Sequence, residues 1–127
     1  MDLEIDPLSP TPIYQQIRDR IVEGIARGEL PPGQRLPSVR ALAGAFAINP
    51  ATVSKAYDLL RAEGLVVTNA KSGTVIAPAG DWTEAAAWQS RLRTLLAEAR
   101  AHGLAEQRIL DAAAHQLDTL SPVGSER

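Results

Sequence analysis

No cysteine occurs among the 127 residues, so disulfides and thiolate-held metals are excluded. Only two histidines are present, His102 and His115. They stand too far apart to suggest a metal site, so neither a metal nor a cofactor is expected. No apolar run approaches membrane-spanning length, and the opening MDLEID is acidic where a secretory signal would be basic. A cytoplasmic protein without a membrane partner is the default expectation. Charge of one sign is lacking too: 13 basic residues against 15 acidic leave a net −2, which does not advertise a binder of polyanions. No Ser/His/Asp or Cys/His constellation, no glycine-rich loop opening a helix and no recognisable carboxylate pair is found, so the chain is not expected to be an enzyme.

What is present is ordinary for a folded protein: 45% of the residues are hydrophobic, and the length suits one domain or a small domain with an appendage. Charge is unevenly spread. Residues 34–74 hold five basic side chains (Arg35, Arg40, Lys55, Arg61, Lys71) against Asp58 and Glu63, a balance of +3. Residues 80–127 hold five basic and seven acidic side chains, a balance of −2. One basic surface on an otherwise acidic molecule is compatible with this pattern.

The organising stretch is LPSVRALAGAFAINPATVSKAYDLL, residues 36–60. Ser38 can cap a first helix over Val39–Phe46. Asn49 followed by Pro50 starts a second, because Asn caps well and Pro suits the first helical position. Gly64 would end it after Glu63. Val53, Ala56, Tyr57 and Leu60 share one face at helical spacing and predict a buried back. Ala51, Ser54, Lys55 and Asp58 lie opposite, with Thr52 and Lys55 free to reach outward. A helix with a buried back and a donor-rich first turn suits a DNA major groove, although a helical hairpin with a solvated face would look much the same.

Around this stretch the chain reads in order. Residues 1–10 are irregular, and Leu3, Ile5 and Leu8 could dock as an extended arm. Thr11-Pro12 opens a helix by the same cap-then-proline logic. Ile13, Ile17, Ile21 and Ile25 form an apolar ridge on it, with Gln16, Asp19, Arg20, Glu23 and Arg27 on the solvated side and Gly28 at its end. GELPPGQRLP is a turn-rich connector anchored by Leu30 and Leu36; its Arg35 is either a phosphate ligand or a plain surface arginine. LVVTN and TVIA, joined through Lys71-Ser72-Gly73, read as a β-hairpin. Three helices followed by a two-stranded wing make a winged-helix domain. Lys71 and Gly73 at its tip allow close approach to a DNA backbone or minor groove, and a solvated hairpin tip is the competing reading for Lys71.

These residues add up to a resemblance. Pro32-Gly33, Leu36-Pro37-Ser38-Val39-Arg40, Leu42-Ala43, Thr52-Val53, Lys55-Ala56-Tyr57, Leu60, Glu63-Gly64-Leu65 and Gly73-Thr74 resemble the DNA-binding domain of GntR-family transcriptional regulators over residues 12–78. Residues 49–57, NPATVSKAY, are most similar to the small YtrA-type subgroup. The resemblance implies DNA contact through Arg40, through the first turns of the recognition helix at residues 49–55 and through Gly73. Many members carry arginine where this chain has Pro50 and Ser54, and glycine where it has Lys71, which implies different base recognition. The candidate DNA-binding set is Ser38, Arg40, Asn49, Ala51, Thr52, Ser54, Lys55, Lys71 and Gly73. By residue chemistry, Arg40 suits phosphate or guanine, Thr52 phosphate or a thymine methyl, and Lys55 phosphate or guanine. Tyr57 is taken as structural.

The remainder is helical. Asp81 with Glu84 resembles a capping box. Ala85, Trp88, Leu92, Leu95, Leu96 and Ala99 form a stripe ending near Gly103, and Ile109, Leu110, Ala113, Leu117 and Leu120 form a second. Residues 121–127 read as a frayed tail. Two amphipathic helices cannot bury both stripes by themselves. A homodimer through Trp88, Leu92, Leu95, Leu96, Ile109, Ala113 and Leu117 is preferred over packing onto the winged domain, since helix-turn-helix dimers match palindromic half-sites. Trp82 and Trp88 could instead line a pocket for an unidentified small-molecule effector, with interface or core as the simpler reading.

The fold expected is mainly α with a small β-hairpin: a winged helix-turn-helix domain over residues 11–79 (helix-turn-helix about 36–55, wing 65–77), then a two-helix dimerisation hairpin over 80–120. The function expected is a homodimeric repressor on a palindromic double-stranded operator. The alternative is a winged-helix protein-interaction module that does not touch DNA, against which the polar, basic front of Arg40, Thr52, Lys55 and Lys71 argues.

Overall fold

The computed structural model describes residues 3–122; the outermost residues of the expected frayed tail lie outside them. Three helices come first: α1 (Ile13–Ala26), α2 (Val39–Phe46) and α3 (Pro50–Ala62). The strands β1 (Val66–Asn69) and β2 (Gly73–Ile76) follow, and then α4 (Ala85–Ala101) and α5 (Glu106–Thr119). The chain divides into two compact units, one built on residues 1–79 and one on residues 80–121.

The caps of the central helices form as their residues dictate. Ser38 Oγ accepts the Ala41 N–H at 3.0 Å, and Asn49 Oδ1 accepts the Ala51 N–H at 2.8 Å, with Pro50 opening α3. Each satisfies a donor that the helix cannot satisfy itself. Between them, Ala47 turns the chain at φ 53, ψ 45, and the Ile48 N–H closes on the Ala43 carbonyl at 2.9 Å. A left-handed alanine is strained by its Cβ. Ala47→Gly is therefore expected to raise stability by about 0.5–1 kcal/mol, read as a higher thermal midpoint with the helix content unchanged.

Every buried hydrophobic side chain among the described residues lies between Leu3 and Ile76. Ile17 and Ile21 of the α1 ridge meet Val53, Ala56, Tyr57 and Leu60 of α3, while Leu42, Val66 and Ile76 close the core. Arg18 of α1 is ion-paired with Glu63 at the end of α3, which pushes its guanidinium pKa upward. Tyr57 donates its hydroxyl to the Pro37 carbonyl at 2.7 Å and is structural, as expected. Burial pushes its phenol up to about 12, from an ordinary 10.0. Its neutral form thus stabilises the fold fully below pH 10, and that stabilisation is lost as pH rises through 12. Alkaline titration of stability should lose about 2 kcal/mol more in the parent than in Tyr57→Phe, which gives up about 1 kcal/mol at neutral pH.

Four local expectations are corrected. Thr11 does not cap α1: Pro12, at ψ 147, is the N-cap and gives its carbonyl to the Gln15 and Gln16 N–H groups. Gln16 is not on the solvated side but 5% exposed, because its amide clasps the N-terminal arm. It donates to the carbonyls of Asp6 (2.9 Å) and Thr11 (2.8 Å) and accepts the Asp6 N–H (2.7 Å). The arm docks through Leu3 and partly through Ile5, while Leu8 stays 92% exposed on the turn that Asp6 and Ser9 close. Asp81 and Glu84 form no capping box; α4 starts at Ala85 behind a turn in which the Ala85 N–H meets the Trp82 carbonyl.

The second unit is the pair α4 and α5, turned at Gly103 (φ 91), and neither helix holds a buried residue. Trp82 and Trp88 pack on each other, ring centres 5.6 Å apart. No helix among the described residues is long and apolar enough to cross a membrane.

Candidate nucleic-acid interface

The α3 helix buries Val53, Ala56, Tyr57 and Leu60 and so turns the intervening residues outward. Ala51 and Lys55 are exposed, and Thr52 and Ser54 are half-buried. Asn49 is exposed at its start, but its Oδ1 is committed to the cap. The cap fixes the orientation of its amide, so Asn49 is not free to turn for the bidentate contact an asparagine offers adenine. Ser38 is capping as well, and its hydroxyl proton is still available to donate.

Arg40 lies in the first turn of α2, exposed, with no hydrogen bond or ion pair among the described residues. That isolation is selective. Arg18, Arg20, Arg27 and Arg61 are ion-paired with Glu63, Glu23, Glu29 and Asp58. The cations of residues 3–79 without a carboxylate are Arg35, Arg40, Lys55 and Lys71, all on the helix-turn-helix, its lead-in or the wing. Surface charges kept clear of carboxylates do not have to break a pair in order to meet phosphate.

Lys55 is not free in the way its sequence position suggested. Its ammonium sits 4.0 Å from the centre of the Tyr14 ring. This cation–π contact restrains the side chain without neutralising it. Tyr14, on α1, gave no signal in the sequence, because nothing local links residues 41 positions apart. If Lys55 neutralises a phosphate, Lys55→Ala lowers the slope of log affinity against log salt by about one; an unchanged slope removes it from the interface.

The wing is an antiparallel pair running from Val66↔Ile76 to Asn69↔Gly73, so its loop is Ala70-Lys71-Ser72. Asn69 Oδ1 accepts the N–H groups of Lys71 (3.1 Å) and Ser72 (2.6 Å), a role the sequence reading missed although asparagine before a turn signals it. Gly73 takes φ 71, the left-handed position that closes a three-residue loop. Lys71 is exposed at the tip. The wing is also not just two strands. Residues 33–36 pair along β2, through the Leu36 N–H to the Thr74 carbonyl (2.8 Å), the Gly33 N–H to the Ile76 carbonyl (2.8 Å) and the Ile76 N–H to the Gln34 carbonyl (2.9 Å). Arg35 stands opposite Val75, and its Nε donates to the Ser72 carbonyl at 2.7 Å. It is therefore more than a plain surface arginine, a contact its sequence position did not signal.

In the second unit, Trp88, Leu92, Leu95, Leu96, Ala113 and Leu117 are exposed and Ile109 is half-buried. Leu95 and Leu117 reach 60% and 68% exposure.

Comparison with known proteins agrees with this architecture. The model of the bacterial regulatory proteins of the gntR family matches residues 13–76. The HTH-type transcriptional repressor YtrA of Bacillus subtilis (strain 168) is 49% identical over 74 residues, which are 58% of this chain and 57% of that protein. The matched region thus spans little more than half of that relative. Among solved structures, a transcriptional antiterminator from Listeria monocytogenes EGD-e superposes at TM-score 0.89 and 28% identity, covering 100% of this chain and 98% of its own. YtrA from Sulfolobus acidocaldarius, a GntR-family transcription factor, gives TM-score 0.66 at 42% identity over 78% of this chain and 97% of its own. AraR(DBD) in complex with operator ORX1 gives TM-score 0.53 at 30% identity over 61% of this chain and 99% of its own. With half of its length in the family model and the helix-turn-helix and wing formed by the matched residues, the chain belongs to the GntR family of bacterial transcriptional regulators.

Proposed function

We propose that this chain is a homodimeric, sequence-specific repressor that binds a palindromic operator in the cytoplasm, without a cofactor. One observation carries the reading: among residues 3–79, the cations left without carboxylates are Arg35, Arg40, Lys55 and Lys71 of the helix-turn-helix, its lead-in and the wing, while Arg18, Arg20, Arg27 and Arg61 are paired. Arg40 and the N-terminal turn of α3 would read base edges, with Thr52 and Lys55 reaching outward and Ala51 and Ser54 small enough to let the helix close on the groove. Lys71 and Gly73 would meet the backbone or the minor groove beside it. The AraR domain bound to its operator and the repressor YtrA support this reading by similarity.

The dimer is supported by the second unit. Two helices that expose a stripe of leucines and a tryptophan lack a buried face of their own, and a second copy offers the same stripe in return. Two copies would then present two recognition helices with two-fold symmetry. An effector is left unidentified; Trp82 and Trp88 pack on each other, which favours a structural role for both.

Selection of bound duplexes from a random pool tests the reading. The expected result is a palindrome with half-sites about one helical turn apart. Failure to enrich any duplex at low ionic strength would overturn it.

A further inference from the structure

We infer that Arg35 is a positioning residue for DNA recognition, a brace that fixes the wing tip to the strand leading into α2; the inference rests on the DNA-binding reading above. Three observations converge on it. First, the backbone of residues 33–36 is paired along β2, so Arg35 is itself part of the sheet, opposite Val75. Directly opposed side chains in an antiparallel pair leave the sheet on the same face, which sends the Arg35 side chain over the wing. Second, its Nε donates to the Ser72 carbonyl at 2.7 Å, a group in the loop beyond the last hairpin pair. Third, the guanidinium lies against Gly73: a Cβ there would be in ordinary contact with it, 3.6 Å from Arg35 Nε and 3.8 Å from its Nη2, while φ 71 is what calls for glycine.

The consequence follows from connectivity. Only Pro37 and Ser38 separate the paired residues 33–36 from the start of α2, where Arg40 lies. A hairpin tip held by Asn69 alone would keep its turn but could swing as a unit. The guanidinium adds a link between residues 37 positions apart and ties the swing of Lys71 and Gly73 to the frame that carries Arg40. Lysine does not reproduce the link, since it puts a methylene where Nε stands and carries its ammonium one atom farther along the side chain.

The test compares the full-length parent, Arg35→Gln and Arg35→Lys. Backbone amide relaxation is measured first, without DNA. Lys71, Ser72 and Gly73 should become mobile on the nanosecond scale in both variants, while α1, α2 and α3 keep parent values. Affinity is then measured for the duplex selected above. Both variants should lose roughly tenfold, the worth of about one hydrogen bond to a charged group, with the salt slope of the parent retained. If Arg35 instead neutralises a phosphate, Arg35→Gln lowers the slope by about one and Arg35→Lys keeps most of the affinity, which overturns the proposal. An unchanged wing tip overturns it, and so does a loosened tip with unchanged affinity. If the parent binds no duplex at all, the DNA-binding reading has failed and takes the inference with it; the relaxation data then stand separately as a description of the wing.

Discussion

Truncation after Pro78 is expected to leave a folded, monomeric winged domain whose operator affinity is lower by roughly two to four powers of ten. The first half of that expectation rests on the core. The buried hydrophobic side chains among the described residues run from Leu3 to Ile76, so the cut removes none of them. The second half rests on linkage. Two recognition helices on one palindrome act with an effective concentration set by their tether, and losing the tether forfeits about 10²–10⁴ in avidity without touching a DNA contact. A point variant separates this from a loss of chain length. Leu95→Glu places a charge on a residue 60% exposed in the single chain, so a monomer has little reason to resist it, whereas a dimer seam would have to bury it. Sedimentation should report monomers for both proteins, and titration should show the same weak, one-site binding. A truncated chain that still sediments as a dimer would remove the second unit from assembly.

Arg40→Ala carries the second large effect. Operator affinity should fall by about 1–3 kcal/mol, roughly fivefold to more than a hundredfold, if the guanidinium reads guanine. The thermal midpoint should stay within the range of a neutral surface change, because Arg40 is exposed and pairs with nothing among the described residues. The contrast with Arg61→Ala sharpens the result. Arg61 is already engaged by Asp58 and by the Thr68 hydroxyl, so its removal should loosen the α3–wing junction before it weakens binding. Unchanged affinity in Arg40→Ala would take that residue out of the interface, and a lowered midpoint would mean that it serves the fold.

Much of the helix-turn-helix was legible in residues 36–64, and the reason is local. Ser38 and Asn49-Pro50 act on N–H groups two or three residues away, and Gly64 supplies its positive φ by itself. The isoleucine ridge of α1 and the apolar face of α3 were equally readable, since period alone decides which side of a helix is buried. The same local logic misfired at Thr11 and Asp81. Each is an acceptable cap by type, yet the backbone there settles into a turn one to three residues later, and no neighbour-only rule weighs those alternatives.

Arg35, Gln16 and Lys55 were beyond reach for one shared reason. Each makes its defining contact with residues 5 to 41 positions away: the Ser72 carbonyl, the backbone of Asp6 and Thr11, and the Tyr14 ring. A cation or an amide in a sequence carries no record of which distant acceptor will satisfy it.

The sequence by itself determined the helices, the hairpin, the family and the positions at which charge would face outward, because periodicity, capping and turn chemistry act within about one turn of chain. Tertiary structure alone decided which of those charges are occupied. Pairing each arginine with a carboxylate, a carbonyl or nothing depends on where packing brings separate segments, and that distribution is what leaves Arg40 exposed and sets Arg35 to hold the wing.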